Sequence, residues 1–197
     1  LAAMSDPNAC QLNKQKSRAI NLEATVNLAN LCADQNIELI FTSTDLVFDG
    51  TKGAYSEEDE VNPLSRYAEH KILAEQALFD NPFVKILRLP LMYGYRGKGK
   101  ASFLEALLSK WSEGQVQQLF EDEYRTAAPG VCVAKALLKS RTWSDKLYHL
   151  GGPECLSRYE MGLLLAAHYN IDLSLIKKCL RADVKMPADR PRDVSLN

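Results

Sequence analysis

Two short apolar runs in the sequence predict buried β-strands. Residues 37–42 and residues 84–89 are both rich in leucine, isoleucine and valine over about the length of one strand. Continuous apolar runs of this length are typical of strands buried on both faces of a parallel sheet. Polar residues follow the first run at Ser43, Thr44 and Asp45, and Pro90 follows the second.

The segment between these runs has helical periodicity. Leu64, Tyr67, Lys71 and Ile72 recur at spacings of three and four residues after Pro63, which is tolerated where a helix begins. Strand, helix and strand together predict a βαβ-like unit of an α/β fold. Open α/β sheets bind ligands in the crevice at the carboxyl ends of their strands.

Further helices and strands are predicted on both sides of this unit. Residues 19–34 form an amphipathic pattern, with Ile20, Ala24, Leu28 and Leu31 along one side. The remaining predicted helices are residues 103–111, 131–139 and 159–169, and the remaining predicted strands are residues 115–120 and 146–150.

Tyr67 and Lys71 form the strongest candidate chemistry. Residues four apart share one helix face, so the phenol and the ammonium lie one turn apart. A free phenol has a pKa of about 10, and a nearby cation lowers that pKa, which favours general acid or base catalysis near neutral pH. The Y-x-x-x-K pattern also occurs by chance on solvated helices, so this pair alone does not identify an active site.

Composition and charge favour an ordinary globular protein. The 197 residues are 46% hydrophobic and 25% charged, with a formal net charge of -1. This charge favours neither nucleic acid nor an anionic membrane as a partner, and we expect neither. The five cysteines are scattered without metal-ligand spacing, so we expect no metal site and reduced, mostly buried thiols in a cytoplasmic protein.

Four motifs in a fixed order carry a family resemblance. They are S-T-D-x-V-F-D-G from Ser43, Y-x-E-x-D from Tyr55, P-L-x-x-Y-x-x-x-K-x-x-x-E from Pro63 and L-R-x-P-x-x-Y-G from Leu87. The chain thus resembles the extended short-chain dehydrogenase/reductase superfamily, in its dTDP-4-dehydrorhamnose reductase-like branch. It is also similar to the regulatory beta subunit of methionine adenosyltransferase, which belongs to the same branch. The resemblance runs over nearly the whole chain and implies an NAD(P)-binding Rossmann-type fold, a doubly wound parallel sheet.

The resemblance implies hydride transfer from NADP or NAD to a 4-keto sugar linked to a nucleotide. Tyr67 is then the proton donor, Lys71 holds the nicotinamide ribose and lowers the pKa of Tyr67, and Thr44 or Ser43 hydrogen-bonds the substrate carbonyl. Tyr67 also contacts the cofactor, and the remaining implied cofactor contacts are Ser43, Ala2, Ala3, Pro90, Leu91 and Met92.

The resemblance implies substrate contacts as well. Thr44 and Asp45 are expected to bind the sugar, and Arg125 and Arg190 lie in segments similar to the family's D-E-x-R-T-P and R-P motifs. A guanidinium matches a phosphate bidentately, so Arg125 is the candidate phosphate ligand, with an ordinary surface arginine as the competing interpretation.

Two departures from the family pattern bear on the substrate. Leu46 and Leu91 stand where rhamnose-pathway reductases typically have aromatic residues that help to hold the sugar. Three functions therefore stay open, namely a sugar-nucleotide reductase, which the retained Thr44, Tyr67 and Lys71 favour, a non-catalytic dinucleotide-binding regulatory subunit, and a sugar-nucleotide epimerase.

The resemblance also implies a division of the chain. Residues 1–94 match the carboxyl-terminal portion of the dinucleotide-binding domain, without the glycine-rich turn that precedes it in relatives. We therefore expect a fragment that is inactive as given. Residues 95–197 are predicted to be mostly a small substrate-binding part, with some segments returning to the main sheet. Relatives often form homodimers, so a homodimer is possible.

Overall fold

A computed structural model describes residues 3–95 and 101–197, which form a mixed α/β fold. The helices are α1 (Pro7–Leu12), α2 (Lys14–Arg18), α3 (Ala24–Asp34), α4 (Arg66–Leu78), α5 (Phe103–Ser112), α6 (Gly130–Lys139) and α7 (Arg158–Tyr169). The strands are β1 (Leu39–Thr44), β2 (Val84–Leu89), β3 (Met92–Tyr93), β4 (Gln117–Phe120), β5 (Tyr124–Arg125), β6 (Ala128–Pro129), β7 (Leu147–His149), β8 (Leu156–Ser157) and β9 (Ile176–Cys179).

The main sheet is parallel, as the two apolar runs predicted. Its strand order is β1-β2-β7, and the register pairs Thr44 with Leu89 and Arg88 with His149. The carboxyl ends of β1 and β2 therefore lie side by side at one edge of the sheet. This edge brings Thr44 next to the residues that follow β2.

Helices cover both faces of this sheet, which explains why apolar side chains lie on both sides of its strands. Phe41 and Ile86 pack with α3 and α4 on one face. Leu87 and Leu89 pack with Val133 of α6 on the other face. This two-sided covering is the doubly wound arrangement that the sequence predicted.

A smaller layer follows in the chain. Strands β4 and β9 pair in parallel, and Leu107, Trp111, Leu119 and Ala166 form a separate apolar core between them and helices α5 and α7. Strands β5 and β8 form a separate antiparallel pair. In the sequence, β5 follows β4, and β8 follows β7 of the main sheet. The division of the chain at residue 94 stays a prediction.

The predicted apolar side of residues 19–34 is wrong. Leu28 and Leu31 are 52% and 64% exposed, whereas Leu22 and Ala29 are buried and Val26 packs against them. Residues Ala19–Glu23 form a π-helical turn, which inserts an additional residue per turn and rotates the following helix relative to the α-helical pattern. The sequence pattern assumed an unbroken α-helix.

The last residues of the chain pair with the loop after β1. Tyr55 forms an isolated β-bridge with Leu196, and the Ala54 amide donates a hydrogen bond to the hydroxyl of Ser195 at 2.7 Å. Gly50 has a φ of +79°, and a Cβ there would lie 2.6 Å from the amide nitrogen of Arg192. Residues 193–197 therefore hold the loop of residues 50–60 in place.

The five cysteines are free, but the expectation that most are buried is wrong. Cys10 is buried, whereas Cys132 and Cys155 are exposed and Cys32 and Cys179 are partly exposed. Within residues 3–95 and 101–197, no group of three or more histidines, cysteines, aspartates or glutamates could hold a metal ion. In the same two ranges, no helix is long and apolar enough to cross a membrane.

Candidate active site

The carboxyl end of β1 and the first turns of α4 bring the three predicted catalytic residues into one buried region. Thr44 ends β1, and Tyr67 and Lys71 lie one turn apart on the face of α4 that packs against that strand. Ser65 caps α4 by accepting a hydrogen bond from the amide of Ala68, so the helix begins at Arg66 and not at the predicted proline. All three catalytic candidates are buried.

The pKa of the Tyr67 phenol is raised, which contradicts the expected lowering by Lys71. Burial is the largest cause, the charge of Asp45 is the second, and a hydrogen bond with Thr44 acts in the opposite direction. The phenol is therefore protonated at neutral pH. The raised pKa also makes it a weaker acid than a free phenol.

Lys71 has a different partner from the one that the sequence predicted. Its Nζ donates a hydrogen bond of 2.5 Å to the carbonyl oxygen of Thr42 and lies 4.3 Å from the ring centre of Phe41. Burial lowers the pKa of Lys71 to about 8, although Glu75 acts to raise it. The lysine thus joins α4 to β1.

Asp45 is buried and has two partners. Its Oδ1 accepts a hydrogen bond from the Thr44 hydroxyl at 3.2 Å, and its Oδ2 accepts one from Nη1 of Arg125 at 2.8 Å. Nη2 of Arg125 donates to Glu123 at 3.2 Å. The predicted substrate contacts Asp45 and Arg125 are therefore paired with each other in this structure.

Arg125 is a buried structural cation here and not the surface arginine that was the competing interpretation. Its side chain is buried between the carboxylates of Asp45 and Glu123, and these two charges raise its pKa despite its burial. Its two terminal nitrogens donate to these carboxylates, whereas its Nε is buried and has no hydrogen-bond partner within the described residues. The neighbouring arginines are therefore better placed to meet a phosphate.

A polar cavity of about 160 Å³ lies beside this ion pair. Arg158 and Arg190 line it together with Glu123, and Arg158 lies 3.9 Å from the Glu123 carboxylate. Burial lowers the pKa of Arg158 to about 10 and also lowers the pKa of Arg190, and repulsion from Arg125 adds to both shifts. Glu123, and Asp6 in the case of Arg190, act in the opposite direction.

Sequence reasoning missed Arg158. It belongs to the capping box of α7, in which Ser157 and Glu160 satisfy each other's backbone amides, and that local role gave no indication of chemistry. The cavity position arises from the docking of α7 against β4 and β9, which no local pattern reveals. Arg190, by contrast, was predicted from the closing R-P motif.

The predicted cofactor contacts lie along the same sheet edge. The hydroxyl of Ser43 is buried and has no hydrogen-bond partner within the described residues. Pro90 is buried, Leu91 is half-buried, and Met92 is exposed. An unpartnered hydroxyl beside apolar side chains fits the carboxamide and ring of a nicotinamide.

The amino-terminal contacts are partly described. Ala3 is exposed, and Ala2 lies outside the described residues. The adjoining Met4 is held at both of its backbone groups by Asn21, which donates to the Met4 carbonyl and accepts from its amide, each at 2.9 Å. A side-chain amide that satisfies both groups fixes the path of the chain at the start of the site.

A second cavity, of about 210 Å³, lies between α5, α7 and the strand β3. Its lining is mostly apolar and includes Tyr93, Phe103, Met161 and Leu165, with Glu154 as a charged residue. It contains none of the predicted catalytic residues.

Comparison with known proteins agrees with this geometry. The family model described as the RmlD substrate binding domain matches residues 1–197. The chain belongs to this family. The members are related to dTDP-4-dehydrorhamnose reductases, so the family assignment from the four motifs is confirmed.

Two curated relatives represent the two main functional alternatives. A probable low-salt glycan biosynthesis reductase, Agl14, of Haloferax volcanii is 33% identical over 97% of this chain and 65% of its own length. The methionine adenosyltransferase 2 subunit beta of Bos taurus is 29% identical over 100% of this chain and 61% of its own length. The chain thus spans less than two thirds of both relatives.

Solved structures share the fold. A dTDP-4-dehydrorhamnose reductase from Clostridium acetobutylicum superposes with a TM-score of 0.90 at 26% identity, covering 100% of this chain and 69% of that one. The dTDP-4-dehydrorhamnose reductase from Bacillus anthracis, solved in complex with NADP, gives 0.88 at 19% identity, with 100% and 69% coverage. The Rossmann-type α/β fold predicted from the sequence is therefore confirmed.

Proposed function

We propose that this chain belongs to an NAD(P)H-dependent reductase of a 4-keto sugar linked to a nucleotide, with Tyr67 as the proton donor. The observation that carries the proposal is the placement of the buried Tyr67 phenol on the face of α4 that packs against β1, one turn from Lys71 and near the strand end at Thr44. A phenol that stays protonated at neutral pH is the form that a carbonyl reduction consumes. Because Thr44, Tyr67 and Lys71 are all retained, we assign α4 a catalytic role and not a purely structural one.

The proposed cofactor site uses residues that fit a nicotinamide. Bound NADPH or NADH would supply the hydride. Ser43 offers its unpartnered hydroxyl, Pro90 and Leu91 offer apolar contact, and Lys71 reaches the same edge with its ammonium. Ala2 and Ala3, as the resemblance implies, would leave room for the cofactor, and Met92 would lie at the rim.

In the proposed reaction, Tyr67 donates its Oη proton to the carbonyl oxygen of the sugar as the carbonyl carbon is reduced. Burial excludes water from the phenol and favours transfer of its proton to the substrate and not to solvent. Lys71 holds α4 against β1 and so keeps Tyr67 at the strand end.

We propose that the polar cavity receives the phosphates of the nucleotide. Arg158 and Arg190 lie there with lowered pKa values, because burial and repulsion from Arg125 disfavour their charges. A phosphate would stabilise those charges through bidentate hydrogen bonds. Arg125 then does not contact the phosphate. It donates a hydrogen bond to Glu123, which lines the cavity. In this division of labour, residues 1–94 serve the dinucleotide and most of residues 95–197 serve the sugar nucleotide.

The test uses the full-length gene product. It is mixed with NADPH or NADH and a panel of 4-keto nucleotide sugars, and turnover is followed as loss of nicotinamide absorbance. We expect turnover that Tyr67→Phe abolishes while cofactor binding persists. Tyr148→Phe is the matched control, because the Tyr148 hydroxyl accepts a hydrogen bond from the Asp145 amide outside the site. Turnover unaffected by Tyr67→Phe would remove Tyr67 as the donor.

A regulatory subunit is the second candidate, favoured by the likeness to the methionine adenosyltransferase 2 subunit beta and by Leu46 and Leu91 at positions where reductases carry aromatic residues. Cofactor binding without turnover of any sugar, together with a transferase that co-purifies, would support it. An epimerase would be recognised by conversion of the sugar without net consumption of the cofactor. A cytoplasmic location and a homodimer complete the proposal, and the free cysteines suit a reducing compartment.

A further inference from the structure

We propose that Arg181 is a positioning residue of the polar cavity, where it holds the backbone of Arg190 to the chain segment that carries Glu123. The inference rests on the proposed function, in which this cavity receives the phosphates of a nucleotide sugar. The residues that line the cavity include Arg190 and Glu123 but not Arg181. Arg181 therefore acts through Arg190 and does not touch the phosphate.

The register of β4 and β9 brings Arg181 beside Asp122. Phe120 pairs with Cys179 at the end of the two strands, and the amide of Glu121 donates to the carbonyl oxygen of Cys179 at 3.0 Å. Asp122 and Arg181 each lie two residues beyond this pair. Because the two strands run parallel, both residues leave the sheet at the same end and meet there.

Asp122 orients Arg181 through three hydrogen bonds. Its Oδ1 accepts from the amide of Arg181 at 2.9 Å, and its carbonyl oxygen and Oδ2 accept from Nε at 2.9 and 3.2 Å. The two side chains are 24% and 25% exposed, so the attraction of their charges adds only a modest free energy. What the pair supplies is geometry, because bonds at the amide and at Nε fix both ends of the arginine side chain.

The oriented guanidinium holds the backbone of Arg190. Nη1 of Arg181 donates a hydrogen bond to the carbonyl oxygen of Arg190. This carbonyl precedes Pro191, whose ring disfavours helical backbone angles at Arg190. The side chain of Arg190 lines the polar cavity, so a backbone held in this way limits the positions that its guanidinium can take.

A neighbouring backbone bond places the second arginine of the cavity. The carbonyl oxygen of Glu123 accepts from the amide of Arg158 at 3.0 Å, and both side chains line the cavity. Glu123 follows Asp122 directly in the chain. Arg181 therefore ties Arg190 to the segment that also places Arg158. The separation of the two cavity arginines, which determines how a phosphate fits between them, is thus fixed in part by Arg181.

The test measures the binding of a nucleoside diphosphate to the full-length gene product. Uridine diphosphate and thymidine diphosphate are titrated by calorimetry with saturating NADP or NAD present, which keeps them out of the dinucleotide site. We expect Arg181→Met to raise the Kd of the tighter ligand about tenfold, because the hydrogen bonds of a charged group are lost. Arg190→Met removes a lining arginine and should raise the Kd at least as much. Arg141→Met, from an exposed ion pair with Glu38, is the control and should leave the Kd unchanged.

The conservative variant Arg181→Lys separates position from charge. Lysine keeps the positive charge, but its single ammonium lacks the planar fork that reaches Asp122 and Arg190 together. We expect Arg181→Lys to weaken binding of the nucleoside diphosphate as much as Arg181→Met does, while the affinity for NADP stays at the wild-type value in both. Wild-type binding of the nucleoside diphosphate by Arg181→Lys would show that the charge alone acts, and the positioning role would be lost. An equal loss of NADP affinity would indicate general damage to the fold and would also overturn the inference.

Turnover and a second variant complete the test. With a 4-keto nucleotide sugar, Arg181→Met should raise KM about tenfold and change kcat less than about twofold, since it affects phosphate binding and not proton transfer. A loss confined to kcat would contradict the inference. Asp122→Asn covers the case in which Arg181→Met does not fold, because either orientation of the amide loses one of the two bonds that the carboxylate accepts. Its Kd should also rise, and an unchanged Kd would count against the inference.

The two proposals fail in different ways. Weaker binding in Arg190→Met but not in Arg181→Met would overturn the inference and leave the proposed phosphate site intact. Wild-type binding in Arg190→Met, or no binding of either nucleoside diphosphate to the wild type, would overturn both.

Discussion

Lys71 donates a hydrogen bond from Nζ to the carbonyl oxygen of Thr42 at 2.5 Å, which joins the helix of the candidate active site to the strand beneath it. The strand carbonyl is close to its own carboxyl end, where Ser43 and Thr44 follow. The Y-x-x-x-K spacing thus positions the tyrosine through a backbone contact of the lysine. Within the described residues, no carboxylate accepts a hydrogen bond from Lys71.

The lowered pKa of Lys71 predicts a stability that rises with pH. Its pKa is about 8 in the folded chain and 10.5 as a free side chain. Between these values the unfolded state binds more protons, so the free energy of unfolding increases as pH rises from 8 to 10.5, by at most about 3 kcal/mol. We expect this increase in the wild type and not in Lys71→Met, as measured by urea unfolding at several pH values. Parallel curves for the two proteins would contradict the assigned pKa.

The lowered pKa of Asp49 also predicts that stability increases with pH, in this case at acid pH. Hydrogen bonds from the amide and hydroxyl of Thr51 lower the pKa of Asp49 to about 2, from 3.8. Its contribution to stability is complete above pH 4 and is lost as pH falls towards 2. Between pH 4 and 2 the wild type should therefore lose stability faster than Asp49→Asn in denaturant unfolding. Glu58→Gln, in the loop of residues 50–60, is the control and should follow the wild type.

The buried ion pair of Glu75 and Arg88 predicts a large effect of one substitution. The pair joins α4 to β2 at 2.7 Å, with both side chains less than 10% exposed. Glu75→Gln leaves the guanidinium buried without its charge partner and should lower the free energy of unfolding by about 3 kcal/mol or more. The matched control is Glu23→Gln in the exposed pair with Arg18, which should cost less than about 1 kcal/mol. Denaturant unfolding of both variants decides the point, and similar losses would contradict the prediction.

A side chain at position 152 should destabilise the fold, because Gly152 packs closely against the backbone of Ala127. A Cβ at Gly152 would lie 2.0 Å from the carbonyl oxygen of Ala127, a backbone atom that cannot rotate away. Gly152→Ala should therefore cost about 2 kcal/mol, as expected for an overpacked site. Gly130→Ala is the control, since its nearest neighbour would be an ordinary 3.6 Å away. Thermal unfolding that shows no difference between the two variants would count against the close approach of Gly152 to Ala127.

The sequence predicted those elements whose patterns are local and regular. The strand at residues 84–89 has the predicted bounds, whereas β1 spans Leu39–Thr44 and not the predicted residues 37–42, so Ser43 and Thr44 end the strand and do not follow it. The start of α4 was placed too early, because the serine cap at Ser65 was overlooked in favour of Pro63. The side of α3 that is buried was wrong because a π-helical turn has no distinct sequence pattern.

The sequence predicted that Thr44, Tyr67 and Lys71 lie near one another, but it did not predict which side chains pair. Thr44, Tyr67 and Lys71 lie where the motifs imply, at the carboxyl end of β1. The link between Asp45 and Arg125 spans 80 positions of sequence, so no spacing rule could indicate it. The same holds for the raised pKa of Tyr67, because burial depends on the completed fold.

The bridge between Tyr55 and Leu196 has a consequence for the order of folding. Contacts distant in the sequence require the closure of a long loop and therefore form late. Strands β1 and β2 and helix α4 can assemble from residues 39–89, but the loop of residues 50–60 also makes backbone contacts with residues 193–197. During synthesis on the ribosome, residues 193–197 must therefore emerge before this loop can make these contacts. A nascent chain arrested before Ser195 should therefore hold a formed sheet with this loop still open to a protease.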